Sequence, residues 1–459
     1  MEFEVLKKSH LKRNILIGVL IVGVFCTVVL NLTRAKYRVT ESIPLVTGTI
    51  NYKVSDFNLV SLYIANEEGE YVEADTIPSS GYALNTEQSY CGISNNGEII
   101  KDERVILNYE NGSMTFSNVT KKGTKCYLYF DAKLDGINYI LSKYDTILTR
   151  TDFSTTVTET TTGTIYKSLD ETQYDDDGEV YYFAGNPTDN WVYFAGFYWR
   201  IIRINGNGSI RMIYSGNVSS GPVKEGESTQ IGTSAFNTNA YDNAYVGYMY
   251  GTPGSNTYEE THANINDSTV KQKLDEWYAN GSGLINYTQY LDDESGFCGD
   301  RTSSTNSSVN NNSGGMGKTI TYYGAYIRLV SNKDPMLKCP NKNKDLYTTS
   351  GSKQGNKALT YPIGLISADE TAFAGGLNGN GNAAYYLYTG EYNWMFSPAY
   401  YNNDRYAVTF FVDSTGYLDF EFASVDVEVY GIRPVINLKG DLNITGSGTT
   451  TVPYKVEGI

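Results

Sequence analysis

The chain has 459 residues, enough for two or three domains, and combines 41 tyrosines and 45 glycines with only 11 prolines. This composition favours short strands and loops, so we expect a mainly β protein with few short helices. A formal net charge of −15 excludes the phosphate backbone of nucleic acids as a favoured partner. Two histidines are too few for a histidine-based catalytic or metal centre, so we expect no cofactor and no enzymatic activity.

The first element is an uncharged apolar run that begins at Ile15 and ends at Leu32. At about 1.5 Å per helical residue it is just long enough to cross a membrane, and no small-residue cleavage site follows it. We therefore predict a cytoplasmic tail at residues 1–13, a single-pass membrane anchor at residues 14–32 and a linker at residues 33–48. Basic residues flank both ends of the run, so charge alone leaves its orientation open.

Four of the five cysteines form two neighbouring pairs, Cys91 with Cys126 and Cys298 with Cys339, whereas Cys26 lies in the apolar run. Neither pair has the clustered spacing of a zinc site, so we predict two structural disulfides, with reduced buried thiols as the alternative. Each disulfide would stabilise the fold by about 3–4 kcal/mol in the chain-entropy model. Disulfides persist outside the cytoplasm, so we place the bulk of the chain outside the cell.

The first extracellular domain is predicted at residues 49–150. Short β-branched and aromatic segments separated by turn signals predict strands at residues 59–65, 105–109, 113–116 and 125–130. We interpret this domain as a β-sandwich stalk that the Cys91–Cys126 disulfide joins across its two sheets. Residues 151–164 contain eight threonines and predict an exposed linker between the domains.

The second domain is predicted at residues 165–459. Its early part reads as a strand at residues 180–184 and a strand pair within residues 191–204 that bends at Gly196. Asp175, Asp176 and Asp177 lack the alternating ligand spacing of an EF-type calcium loop, so we favour a solvated turn there. A structural Ca²⁺ is the one metal that we keep as an alternative, because backbone oxygens and scattered carboxylates could bind it.

Two helices of the second domain carry start signals. Ser268 caps an amphipathic segment at residues 270–278, which Gly281 ends. Ser367 and Glu370 have the spacing of a capping box.

Near the C-terminus we predict a three-stranded meander at residues 406–412, 416–422 and 427–438. A dense run of tyrosine and asparagine precedes it, a mixture that combines large contact area with adaptable hydrogen bonds. The candidate ligand-binding residues are Trp394, Tyr400, Tyr401, Asn402, Asn403, Asp404, Arg405, Tyr406, Tyr417 and Asp419. The alternative is that Trp394 is a core residue, which we favour for that residue, and that the tyrosines form a solvated loop.

Residues 182–214, 364–376 and 394–438 resemble a family of uncharacterised surface proteins of Gram-positive gut bacteria, and residues 89–91 and 124–131 resemble the stalks that accompany it. More loosely, the layout is similar to C-type-lectin-like domains of the formylglycine-generating-enzyme type. Residues 365–373, 394–398 and 431–433 would stand in for that fold's helix, tryptophan and terminal-strand motifs. The resemblance implies a C-type-lectin-like α+β domain.

The departures from that pattern are informative. No cysteine follows Cys339, although the enzyme of that fold needs a late reactive pair, and the sugar-binding EPN, QPD and WND motifs of true lectins are missing. The resemblance therefore implies that this fold serves here as a scaffold for ligand binding. In such members of the fold, retroelements diversify a ligand-binding surface that is rich in asparagine and tyrosine.

We thus expect a membrane-anchored cell-surface recognition or adhesion protein that binds an extracellular glycan or protein. One alternative is a structural envelope protein without a specific ligand. A second is a glycan-processing surface enzyme, because carboxylates are abundant, although no spacing singles out a catalytic pair.

Overall fold

The structure is a computed structural model, and it describes residues 58–66, 70–78, 82–95, 98–110, 113–119, 121–132, 135–157, 165–304, 314–404, 406–421 and 424–459. The predicted anchor at residues 14–32, Cys26, residues 158–164 of the threonine-rich segment and Arg405 lie outside these residues. Within the described ranges, no helix is long and apolar enough to cross a membrane. The chain divides into two compact units, Met1–Lys133 and Leu134–Ile459.

The first unit is built from strands. They are β1 (Asn58–Ala65), β2 (Tyr71–Glu73), β3 (Tyr82–Leu84), β4 (Tyr90–Asn95), β5 (Glu98–Lys101), β6 (Ile106–Glu110), β7 (Ser113–Ser117) and β8 (Lys125–Ala132). Six of them form one sheet in the order β2-β1-β8-β4-β5, with β3 also paired to β8, and β6 and β7 form a separate hairpin. Met114 and Phe116 of that hairpin share a core with Leu62, Leu128 and Phe130 of the sheet.

The first predicted disulfide is confirmed, but its position in the sheet differs from our expectation. Cys91 and Cys126 are bonded and lie directly opposite each other on the neighbouring strands β4 and β8. The disulfide therefore joins two strands of one sheet, so the prediction that it joins two sheets is wrong. The Cys298–Cys339 disulfide, in the second unit, is also confirmed.

The second unit contains seventeen strands and six short helices within its described residues. The strands are β9 (Leu148–Thr149), β10 (Ile165–Lys167), β11 (Tyr181–Phe183), β12 (Trp191–Phe194), β13 (Phe197–Ile204), β14 (Ile210–Asn217), β15 (Met249–Tyr250), β16 (Asn266–Asp267), β17 (Phe297–Cys298), β18 (Thr321–Tyr322), β19 (Leu346–Tyr347), β20 (Asn393–Asn402), β21 (Tyr406–Val412), β22 (Leu418–Asp419), β23 (Val435–Leu438), β24 (Ile444–Thr445) and β25 (Tyr454–Val456). The α-helices are α1 (Gly136–Leu141), α2 (Tyr258–Thr261), α3 (Thr269–Glu276), α4 (Gly324–Tyr326), α5 (Lys342–Asp345) and α6 (Ala368–Ala374). Short 3₁₀ turns (Glu227–Thr229, Asn243–Val246, Leu284–Tyr290) and π-helical turns (Trp277–Gly281, Ile327–Asn332) complete the unit.

The boundary between the units lies earlier than the threonine-rich segment suggested. Ile140 of α1 is fully buried in the core of the second unit, and β9 pairs with β10. Arg150 also donates hydrogen bonds to the carbonyls of Ala372 and Phe373. Residues 135–150 therefore belong to the second unit, because their apolar side chains and backbone pairing are satisfied there.

A large sheet forms the centre of the second unit. Its strand order is β24-β25-β12-β13-β11-β10-β9, and β14 extends it by pairing with β13 and then with β23. The predicted strand pair within residues 191–204 is a hairpin whose two turn residues, Ala195 and Gly196, have φ angles of 53° and 83°. Two successive positive φ angles match the right-handed twist of the flanking strands.

The predicted C-terminal meander is only partly formed. β21 has the predicted bounds, β22 is shorter than predicted, and β18, β20, β21 and β22 form one sheet. The predicted strand at residues 427–438 is wrong in extent and partner, because only Val435–Leu438 is a strand and it pairs with β14 of the other sheet. Pro434 just ahead of it has no N–H to donate to a ladder.

Both predicted helix starts are confirmed. The Ser268 hydroxyl accepts a hydrogen bond from the Lys271 amide at the start of α3. Ser367 and Glu370 form a reciprocal capping box at the start of α6. Every residue of α6 is buried, so this helix lies inside the unit and orders the side chains around it.

Candidate functional site

Three of the predicted ligand-binding residues are core residues. Nine of the ten residues of β20 are buried, among them Trp394, Tyr400 and Tyr401. The Trp394 indole donates to the Ser234 carbonyl at 2.7 Å, and the Tyr401 hydroxyl donates to the Tyr241 carbonyl at 3.4 Å. Successive residues of a strand point to opposite faces, so burial of neighbours means that both faces are covered. The prediction that these three rings contact a ligand is wrong, and the core alternative for Trp394 is the correct one.

The exposed part of the predicted site is the turn between β20 and β21. Asn403 and Asp404 are exposed, Asn402 and Tyr406 are half-buried, and the Asn402 side chain accepts a hydrogen bond from the Asp404 amide. Tyr406 has a φ angle of 60°, which is rare for a bulky residue. Such strain persists only where the surroundings enforce it, and it concentrates at functional sites.

Tyr406 is half of an aromatic pair. Its ring centroid lies 4.4 Å from that of Tyr241, whose surface is 52% exposed. The neighbouring Tyr406 raises the pKa of the Tyr241 phenol. We call Asn402, Asn403, Asp404, Tyr406 and Tyr241 the hairpin tip.

Sequence reasoning missed Tyr241, although a signal was present. Residues 237–243 read NTNAYDN, the same asparagine and tyrosine mixture as residues 400–406. Backbone hydrogen bonds bring the segments together, because the Ala407 amide donates to the Ala240 carbonyl and the Val425 amide donates to the Ala407 carbonyl. The tip is therefore fixed by segments from three parts of the chain.

Tyr417 and Asp419 do not lie beside the hairpin tip. Asp419 pairs with Phe411, whereas Tyr406 pairs with Asn402 at the start of β21. Phe411 lies five positions along the strand from Tyr406, which corresponds to about 17 Å. The predicted grouping of these residues into one surface is therefore wrong, because the two strand ends point to opposite ends of the sheet.

A separate cleft next to α6 holds a network of buried charges. Its cavity volume is about 30 Å³, so the cleft is narrow. Glu370 forms ion pairs with Arg211 and with Arg203, the latter at 3.5 Å. Burial pushes the pKa of Glu370 upward, but the two guanidinium groups outweigh it and hold that pKa below its ordinary value.

The second half of this network is centred on Arg328. Its guanidinium contacts Asp300 at 2.6 Å and Asp369 at 2.9 Å. Both buried carboxylates thus bind one half-buried guanidinium group, which holds the start of α6 in place. This arrangement is typical of a structural ion-pair network, whose separation is strongly unfavourable.

The aspartate loop beside the cleft is a turn, as predicted, but only part of it is solvated, because Asp177 is exposed, Asp176 is half-buried and Asp175 is buried. Asp175 is buried and accepts backbone hydrogen bonds from Asp177, Gly178 and Gly206. Asp176 lies 3.2 Å from the Lys342 ammonium. In the part of the chain that the structure describes, no group of three or more histidine, cysteine or acidic side chains is arranged to hold a metal ion.

No protein-family model, curated protein or solved structure matches this chain. The functional interpretation therefore depends on the chain's own residues, above all on the hairpin tip.

Proposed function

We propose that the protein is a membrane-anchored cell-surface recognition or adhesion protein. Its second unit would serve as a C-type-lectin-like scaffold that presents the hairpin tip to an extracellular glycan or protein. The observation that carries this proposal is the strained, half-buried Tyr406, whose ring packs at a 57° tilt against the exposed Tyr241 where two buried strands end.

Rigidity supports recognition at the tip. β21 is buried from Ala407 onward and β20 is buried up to Tyr401, so the turn emerges from a fixed base. A binding surface that is ordered before contact loses less conformational freedom on binding.

The chemistry of the tip suits an uncharged or basic ligand. Two tyrosine rings supply contact area with few rotatable bonds, and the amides of Asn402 and Asn403 can both donate and accept hydrogen bonds. Asp404 is exposed, and the whole chain carries a net charge of −15, so its field favours partners that are not acidic.

An extracellular location is supported by the two disulfides. The structural-envelope alternative gains support from the burial of Trp394, Tyr400 and Tyr401, because it removes three of the ten expected contacts. The two functions differ in one respect that can be measured, namely specific binding that depends on the tip.

The test is a glycan array and a surface-protein pulldown with the full chain in detergent. The double variant Tyr241→Ser/Tyr406→Asn removes both rings, and asparagine tolerates the positive φ at position 406. Aromatic contacts of this kind cost about 1 kcal/mol or more each, so we expect the affinity for a captured ligand to fall about tenfold or more.

A matched control exists elsewhere in the same unit. Tyr193 and Tyr198 form another half-buried pair, with ring centroids 5.1 Å apart and an interplanar angle of 58°, close to the 57° of Tyr241 and Tyr406. Tyr193→Ser/Tyr198→Ser should leave binding unchanged. Equal binding by both double variants would place the site elsewhere, absence of any ligand would favour the structural alternative, and turnover of a glycan would favour the enzyme.

A further inference from the structure

The second unit has an open groove at the C-terminal end of α3, away from the charged cleft. Its cavity volume is about 510 Å³, within the range of about 300–1,000 Å³ typical of small-molecule sites. One wall is the end of α3 with the π-helical turn that follows. The other wall is formed by residues 231–233 and by Ile432, joined by hydrogen bonds between Ile231 and Ile432 and between Ile432 and Gly232.

Trp277 lines this groove and is unlike the other tryptophans. Trp191, Trp199 and Trp394 are fully buried, whereas Trp277 is half-buried, and the structure describes all four. The Trp277 ring packs against Phe197, at 5.2 Å between centroids and a tilt of 53°, and edge-to-face against Tyr214 at 6.0 Å. The groove therefore offers a flat indole surface in a fixed orientation.

The groove's polar groups surround this ring. Lys273 and Glu276 lie on the exposed face of α3 with their charged atoms 3.6 Å apart, so their charges largely offset each other. Asn280 and Thr233 are exposed and supply groups that both donate and accept hydrogen bonds. Gly281 has no side chain, and a Cβ there would approach the Trp277 Cδ1 to 3.3 Å, so glycine keeps the ring edge open.

We propose that this groove is a second binding site and that its ligand is a neutral oligosaccharide. A sugar ring presents an apolar C–H face that can stack on the indole and a rim of hydroxyls that donate and accept hydrogen bonds. An acyl chain would need a dry, apolar enclosure, which this half-polar open groove does not provide. A polyanion would meet the acidic field of the chain.

The groove and the hairpin tip have no residue in common. The segment between residues 231–233 and Tyr241 is held in place by two backbone hydrogen bonds. The Ser234 amide donates to the Tyr430 carbonyl, and the Asn237 amide donates to the Val425 carbonyl. Variants in the groove can therefore be compared directly with variants at the tip.

The test uses the full chain in detergent and a panel of neutral tetrasaccharides of glucose, xylose and N-acetylglucosamine. Binding is followed by intrinsic fluorescence, because Trp277 is the tryptophan that solvent reaches. We expect at least one saccharide to shift the emission and protect it from acrylamide quenching.

Two variants test the roles of the Trp277 ring and of the open groove. Trp277→Phe keeps an aromatic ring on Phe197 and Tyr214 but reduces the stacking surface, and Thr233→Arg fills the groove from an exposed position. Each variant should weaken saccharide binding about tenfold or more. The affinity of Trp277→Phe is measured by calorimetry, because this variant lacks the Trp277 fluorescence. Asn280→Ala should weaken it less, because it removes hydrogen bonds alone.

The variant Tyr241→Ser/Tyr406→Asn serves as the control and should bind the saccharide like the unmodified chain. Loss of binding in this control, retention of binding in Thr233→Arg, or no binding by any saccharide of the panel would each overturn the proposal. Circular dichroism spectra that match the parent show that the exposed Thr233→Arg and Asn280→Ala variants are folded.

Discussion

Strands β8 and β20 are both rich in tyrosine, yet their tyrosines have opposite environments. In β8, Cys126, Leu128 and Phe130 are buried while Tyr127 and Tyr129 between them are half-buried. In β20 the residues are buried regardless of their position in the alternation. The difference shows that tyrosine and alternation locate a surface only where a sheet is covered on one face.

The covering of β20 comes from distant parts of the chain. The helices α4 and α6 and the 3₁₀ turn Asn243–Val246 all contact it. Phe396, for example, packs on Tyr248, Phe297 and Tyr347. β8 has only the β6–β7 hairpin against its core face among the described elements of its unit.

The largest expected effects come from truncating neighbouring residues on the two strands. Tyr400→Ala and Tyr401→Ala should each destabilise the second unit by about 3–5 kcal/mol, because each leaves a cavity. On β8, Leu128→Ala should cost about 2–5 kcal/mol, whereas Tyr127→Ala should cost at most about 1 kcal/mol. Differential scanning calorimetry of the full chain measures all four.

Tryptophan fluorescence shows which unfolding transition belongs to the second unit, since all four tryptophans lie in that unit. A small effect of Tyr401→Ala, equal to that of Tyr127→Ala, would contradict the two-sided burial of β20.

A second test concerns the buried charges that join α6 to strands β13 and β14 of the large sheet. Glu370→Gln leaves Arg211 and Arg203 buried beneath α6 without their carboxylate, so it should destabilise the second unit by about 3–5 kcal/mol. The control is Glu179→Gln, which breaks the solvent-accessible pair with Lys167 and should cost less than about 1 kcal/mol. Urea unfolding followed by fluorescence compares them, and similar midpoints would show that the buried network contributes little.

The smallest expected effect is a pH dependence specific to the second unit. His262 is fully buried against Tyr258 and Tyr323, and burial, assisted by Arg301 and Lys344, lowers its pKa well below the ordinary value. In the unfolded chain His262 therefore binds a proton near pH 6.5, whereas in the folded unit it stays neutral at that pH. The free energy of unfolding should fall as the pH drops below about 6.5, by up to about 1.4 kcal/mol per pH unit.

The measurement is the urea midpoint of the second unit between pH 7.5 and pH 5.5. His262→Leu removes the titrating group and should flatten the profile over this range. An unchanged slope in His262→Leu would assign the dependence to other groups, such as the buried carboxylates.

Local signals in the sequence were reliable. The Ser268 cap, the capping box of Ser367 and Glu370, and the bounds of β21 followed from residues a few positions apart. The two disulfides followed from the pairing of neighbouring cysteines in the chain. In each case the physical cause lies within one element or one closed loop.

Other features depended on contacts that no local pattern reveals. The sequence by itself determined which segments could be helices, strands and turns, and where asparagine and tyrosine concentrate near the hairpin tip. Only the tertiary structure decided that β23 joins β14, that Tyr400 and Tyr401 are core, and that Tyr241 completes the tip. The reason is that the burial and the pairing of a residue depend on which distant segments pack against it. Arg211 and Glu370, for example, are 159 residues apart in the sequence but in contact in the folded unit.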